Sequence, residues 1–192
     1  MMPPTSANST PRVCHLITGL DAGGAERSLY NLLAQGLGAR GQTAVISLTG
    51  MGTFGAPIAA LGIPVTCLDL RLSRLNFSAL QKLASAIKHQ EPGVLQGWMY
   101  HGNLAALLAQ CQMTSRPPLL WNIRQTFSAM KNEKLITRQI IRLNRCFSKQ
   151  PQTIIYNSHL SKAQHEKIGF YAARSVVIPN GFDTSLHHPD PA

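Results

Sequence analysis

The chain has 192 residues, enough for one well-buried core, and its 44% hydrophobic and 14% charged content are globular values. The longest clean apolar run, Leu104 to Ala109, is far too short to span a bilayer. The net charge of +10 sits in one block: residues 71–149 hold twelve Lys and Arg against Glu91 and Glu133, while the segments on either side are balanced. That distribution points to a local anionic surface or ligand, not to a uniformly basic protein.

Residues 1–11, MMPPTSANSTP, are polar and Pro-rich, which predicts a disordered tail, and they contain no apolar core of a signal peptide. Val13 to Ile17 is an apolar run that stops at a Gly-rich turn. A helical pattern with Leu29, Leu32 and Leu33 on one face follows at once. Strand, glycine turn and helix is how an open α/β sheet begins. Without Cβ atoms, Gly23 and Gly24 let backbone N–H groups approach an anion closely, and the helix N-terminus behind them adds partial positive charge. The turn therefore reads as a phosphate site. The competing reading is a simple tight turn, since Gly19, Gly23 and Gly24 do not make G-x-G-x-x-G and no Walker lysine follows.

Further apolar, β-rich runs fall at 42–48, 63–68, 93–96, 118–122, 153–157 and 175–178. Helical patterns separate most of them, at 25–38, 54–61, 77–89, 102–113, 131–149 and 158–168. The alternation predicts a parallel sheet with helices on both faces and ligands at the strand C-terminal edge. Pro179-Asn180-Gly181 breaks the pattern after the last strand, so 12–178 forms the domain and 179–192 a linker with a hinge at Asn180 and Gly181.

Several residues follow strand ends. His101 has a near-neutral pKa suited to proton exchange, against the plainer role of a helix-start histidine bonded to backbone. Asn103 is a candidate acceptor contact or a support for the helix start. Arg124, in WNIRQT, suits a phosphate or acidic sugar, against an ordinary surface arginine. Glu26 and Arg27 read as an exposed first helical turn, and Ser158 as an N-cap. The four cysteines form no C-x-x-C pair. Cys14 and Cys67 read as small core residues, and the set fits a reducing cytoplasm.

Lys131, Lys134, Arg138, Arg142, Arg145 and Lys149 recur every three or four residues and form one stripe. Ile136, Ile140, Leu143 and Phe147 fall almost opposite. The pattern predicts an amphipathic helix with its apolar seam on the sheet and a cationic face outward. That face suits either solvent or an anionic membrane surface.

GLDAGGAERSLYNLL, LQGWMYHGNLAALLA, LLWNIRQTF, TIIYNSHLSKAQHEKIGF and VVIPNGFDTSLHHP, in this order, resemble successive segments of family 4 glycosyltransferases over about residues 12 to 189. The resemblance implies the N-terminal, Rossmann-like half of a GT-B fold that binds the acceptor. It implies a retaining transfer from a nucleotide-sugar donor to a glycan or lipid-linked acceptor, in cell-envelope polysaccharide biosynthesis. The location would be cytoplasmic, peripheral on the inner face of the membrane. By the same resemblance, His101 is catalytic, Gly23 and Gly24 lean on the donor phosphates, and Arg124 and Asn103 serve the acceptor. No metal or cofactor is expected, and no D-x-D motif occurs. Family members grip the donor through two glutamates eight positions apart in a second domain. Here Glu26, Glu91, Glu133 and Glu166 have no such spacing, so the chain is expected to be incomplete and inactive alone.

Two other functions compete with this one. A nucleotide-dependent oxidoreductase wants an acidic residue at the end of the second strand, which here reads SLTG. A non-catalytic anion-binding module would use the basic block, but few aromatics interleave it, so nucleic acid is not expected as a partner.

Overall fold

A computed structural model describes residues 11–37, 43–70, 77–126 and 135–181. Seven strands form one all-parallel sheet: β1 Val13–Ile17, β2 Thr43–Ser47, β3 Val65–Cys67, β4 Val94–Trp98, β5 Leu119–Ile123, β6 Thr153–Tyr156 and β7 Ser175–Val177. Six helices connect them: α1 Gly24–Leu32, α2 Gly52–Ala60, α3 Phe77–His89, α4 Met99–Cys111, α5 Leu135–Phe147 and α6 His159–Lys167. The order across the sheet is β3-β2-β1-β4-β5-β6-β7. The direction of winding therefore reverses between β1 and β4, whose registers start at Val13 and Val94. In an open α/β sheet that reversal opens a crevice at the strand C-terminal ends. Residues 1–10 of the expected 1–11 tail, most of the 179–192 linker, and Lys131 and Lys134 lie outside the described residues.

Alternate strand residues face opposite sides, and two apolar clusters result. One, with Leu16, Ile46, Leu95, Trp121 and Ile154, packs under Leu83 and Ile87 of α3, Ala106 of α4 and Ile141 of α5. The other joins Ile17, Val45 and Trp98 to Leu29 of α1 and Ile58 of α2. Cys14 is buried in the first, which pushes its thiol up to about 12, while Cys67 is only half-buried.

The seam expected along α5 is turned differently. Ile136, Leu143 and Phe147 are 63%, 45% and 44% exposed, and the buried residues of the helix are Ile141 and Asn144. The Asn144 side-chain amide donates to the Tyr100 carbonyl at 3.0 Å and to the Ile140 carbonyl at 2.8 Å. The bond to Tyr100 and the packing of Ile141 set the helix rotation. The apolar stripe then lies to one side of the contact line and the cations to the other. Arg142, Arg145 and Lys149 remain exposed, but Arg138 is half-buried.

Candidate functional site

The loops that follow β1 and β4 lie side by side where the strand order reverses. After β1, the turn at Gly23 leads into α1 with no side-chain cap on the helix. A Cβ on Gly24 would meet nothing within 4 Å, and one on Gly23 would meet only the Glu26 carboxylate. The first N–H groups of α1 thus have no side-chain partner, and the turn is exposed. This is the local chemistry that favours an anion.

After β4 the chain turns directly into α4 at Met99, whose φ of 61° lies in the left-handed region. A non-glycine residue there stores backbone strain of about 1 kcal/mol or more, held by what surrounds it. The surroundings are tight. A Cβ on Gly102 would sit 2.4 Å from the Leu16 carbonyl oxygen, and one on Gly97 would sit 2.5 Å from the Asn103 Cα. Glycine at both places lets the first turn of α4 press on β1 and β4. His101 stands in that turn, half-buried, with no hydrogen-bond partner for its ring among the described residues. Burial lowers its pKa, so the imidazole is neutral at pH 7.

Asn103 is fully buried, and its Oδ1 accepts the Asn122 backbone N–H at 3.3 Å. That bond ties α4 to β5, while Asn103 Nδ2 is buried with no partner among the described residues. Arg124 leaves the end of β5, and its guanidinium carbon lies 5.6 Å from the Trp98 ring centroid. Its Nη1 donates to Asn122 Oδ1 at 3.3 Å and its Nη2 to Asn180 Oδ1. The arginine therefore joins the strand edge to the expected hinge. Gly181 does not use a left-handed φ. Ser158 caps α6 by accepting the Ser161 N–H, and Ser161 Oγ donates to the Gln125 carbonyl at 2.7 Å.

Two buried histidine contacts escaped the sequence reading. Trp98 Nε1–H donates to His15 Nδ1 at 3.1 Å. Tyr100 Oη lies 2.7 Å from His165 Nε2, and His165 Nδ1 lies 2.7 Å from the Ser161 carbonyl oxygen. A carbonyl only accepts, so Nδ1 carries the proton and Nε2 accepts from Tyr100. Burial depresses both histidines to about 4. The available signal was a histidine inside an apolar strand run, VCHLI. Among the described residues no three His, Cys, Asp or Glu side chains converge as a metal site. No described helix is long and apolar enough to cross a membrane.

The family model for Glycosyltransferase Family 4 matches residues 22–186. The chain belongs to glycosyltransferase family 4. Solved structures agree on the fold of this family 4 chain. HepE of Anabaena, in complex with UDP and glucose, superposes with a TM-score of 0.74 at 18% identity over 94% of this chain and 47% of its own. Sucrose-phosphate synthase of Thermosynechococcus elongatus gives 0.68 at 13% identity over 93% and 50%. MurG of Acinetobacter baumannii gives 0.59 at 13% identity over 90% and 46%. The family 4 chain thus spans about half the length of these proteins. A comparison with curated proteins finds no significant match.

Proposed function

We propose that these residues form the acceptor-side half of a retaining, metal-independent glycosyltransferase. It moves a sugar from a nucleotide-sugar donor to a glycan or lipid-linked acceptor in cell-envelope polysaccharide biosynthesis, at the cytoplasmic face of the membrane. One observation carries the reading: the uncapped glycine turn and His101 follow the adjacent strands β1 and β4, where the strand order reverses, in a family 4 chain. The N–H groups behind Gly23 and Gly24 stabilise the charge that grows on the departing diphosphate. The neutral His101 imidazole contacts a hydroxyl of the reacting sugar. HepE, the structural neighbour, binds UDP and glucose.

The test uses a full-length enzyme containing this segment, assayed for nucleotide release in the presence of acceptor. His101→Ala is expected to lower kcat by about 100-fold or more while donor binding changes little. Activity kept within about three-fold assigns His101 a structural role. The 192 residues alone are expected to transfer no sugar and to bind a nucleotide sugar at about millimolar Kd or weaker.

The membrane location draws on the exposed Arg142, Arg145 and Lys149 of the α5 region. The first two line a cleft of about 300 Å³ with Ile141 and Ile168. Basic side chains near an anionic leaflet contribute up to about 1 kcal/mol each. Co-sedimentation with anionic vesicles is expected to exceed that with neutral ones, to fall steeply with salt, and to drop in Arg142→Glu/Arg145→Glu. Equal binding to both lipids makes the stripe an ordinary solvated surface.

A further inference from the structure

We propose that the acceptor held at this edge is a sugar bearing an anionic oxygen group, a carboxylate or a phosphate, and that Arg124 grips that group. The proposal rests on the reading of the edge as an acceptor site. Arg124 is a half-buried cation whose described partners are all neutral. Its guanidinium donates to two amide oxygens, of Asn122 and Asn180, and lies over the Trp98 ring. The ion pair found among the described residues, Lys162 with Glu166, lies elsewhere.

Each Nη keeps one N–H after those two bonds, and Nε is buried without an acceptor among the described residues. The two remaining Nη donors lie in the guanidinium plane, from which carboxylates and phosphates accept bidentately. The plane is held in advance. Trp98 is fixed beneath it by its bond to His15, and the Arg124 backbone N–H donates to the Met99 sulfur at 3.4 Å. Burial with no anion beside it also lowers the Arg124 pKa, the mark of a cation lacking its counter-charge.

The sugar part has its own partner. Ile123 and Tyr156 pair in register, so Arg124 and Asn157 lie side by side one step further along. Asn157 Oδ1 is buried and unpartnered, an acceptor suited to a sugar hydroxyl. The N-terminus of α6 follows at once and adds partial positive charge. A hydroxyl on Asn157 and an anionic oxygen on Arg124 together describe a uronic acid or a sugar phosphate.

The experiment follows the Trp98 indole N–H signal of the 192-residue chain by NMR, with Trp121 as the internal control for folding. Glucuronate, glucose 6-phosphate and glucose are titrated separately. Either or both anionic sugars are expected to shift Trp98 with millimolar Kd, about ten-fold or more tighter than glucose, and the tighter one assigns the group. Arg124→Gln is expected to weaken this about ten-fold or more, Arg124→Lys less. Asn157→Asp, which sets a carboxylate beside the guanidinium, is expected to weaken it as well. The proposal is overturned if neither anion shifts Trp98, if glucose shifts it equally, or if Arg124→Gln binds the anions within about two-fold. In a full-length enzyme, transfer to neutral acceptors that is indifferent to Arg124→Gln removes this proposal alone. Absence of transfer with anion binding intact removes the transferase reading and leaves the anion site.

Discussion

One row of residues crosses the sheet and shows how differently its two halves are built. Ser47, Ile17, Trp98, Asn122, Ile155 and Val176 stand in register on one face. At the β1 side this face lies under α1 and α2: Ile17, Leu29 and Ile58 have no exposed surface. Moving outward, Asn122 is still buried, Ile155 is half-buried, Val176 is 41% exposed, and Ile178 beyond it is 53% exposed. On the opposite face the apolar cluster continues without a break from Ile46 of β2 to Ile154 of β6. The lesson is one of placement. Trp98 and Arg124, the pair at the candidate anion site, stand where helical cover on this face ends. There a side chain can be rigid on one side and reachable on the other.

The strongest way to break both halves at once is acid. His15 supports Trp98 on the partly covered face, and His165 holds Tyr100 on the other. Both are depressed to about 4 by burial, against an ordinary value of 6.5. A lowered histidine pKa means that the unfolded chain binds the proton first. The stability tied to the neutral form is therefore complete above pH 6.5 and is lost as pH falls toward 4. Urea unfolding at pH 5 is expected to show about 2 kcal/mol less stability from each histidine than at pH 7. His15→Gln, which keeps an acceptor for the indole, is expected to halve that loss. A stability that does not change between pH 7 and 5 contradicts the burial of both rings.

The contrast along the row sharpens with a pair of truncations. Ile58→Ala empties a site under α2 and is expected to cost about 3 kcal/mol. Val176→Ala, on the uncovered side, is expected to cost about 0.5 kcal/mol or less. Denaturant midpoints of the two variants measure the difference. Similar costs mean that the outer half is covered in solution.

The seven strands were legible because parallel strands buried on both faces are nearly continuous apolar runs. The observed strands lie within about two residues of the expected bounds, the usual scatter of such boundaries. The cap at Ser158 was equally local and held. What escaped depends on contacts between distant segments. Periodicity shows which residues of α5 share a face, but Tyr100 of α4 and the packing of Ile141 choose which face turns inward. The bond from the β5 backbone to Asn103 was not legible, because a buried amide looks in sequence like any polar residue near a helix start. Arg124 was legible as a cation at a strand end, while its tie to Asn180 was not.

The strand order also governs how the chain is born. During synthesis β1, β2 and β3 emerge first and pair among themselves, but the other edge of β1 waits for β4. Until Val94 to Trp98 leaves the ribosome, that edge of β1 presents an open row of N–H and C=O groups. A chain stalled between β3 and β4 thus carries an adhesive edge, and the nascent domain is most exposed to mispairing in that interval.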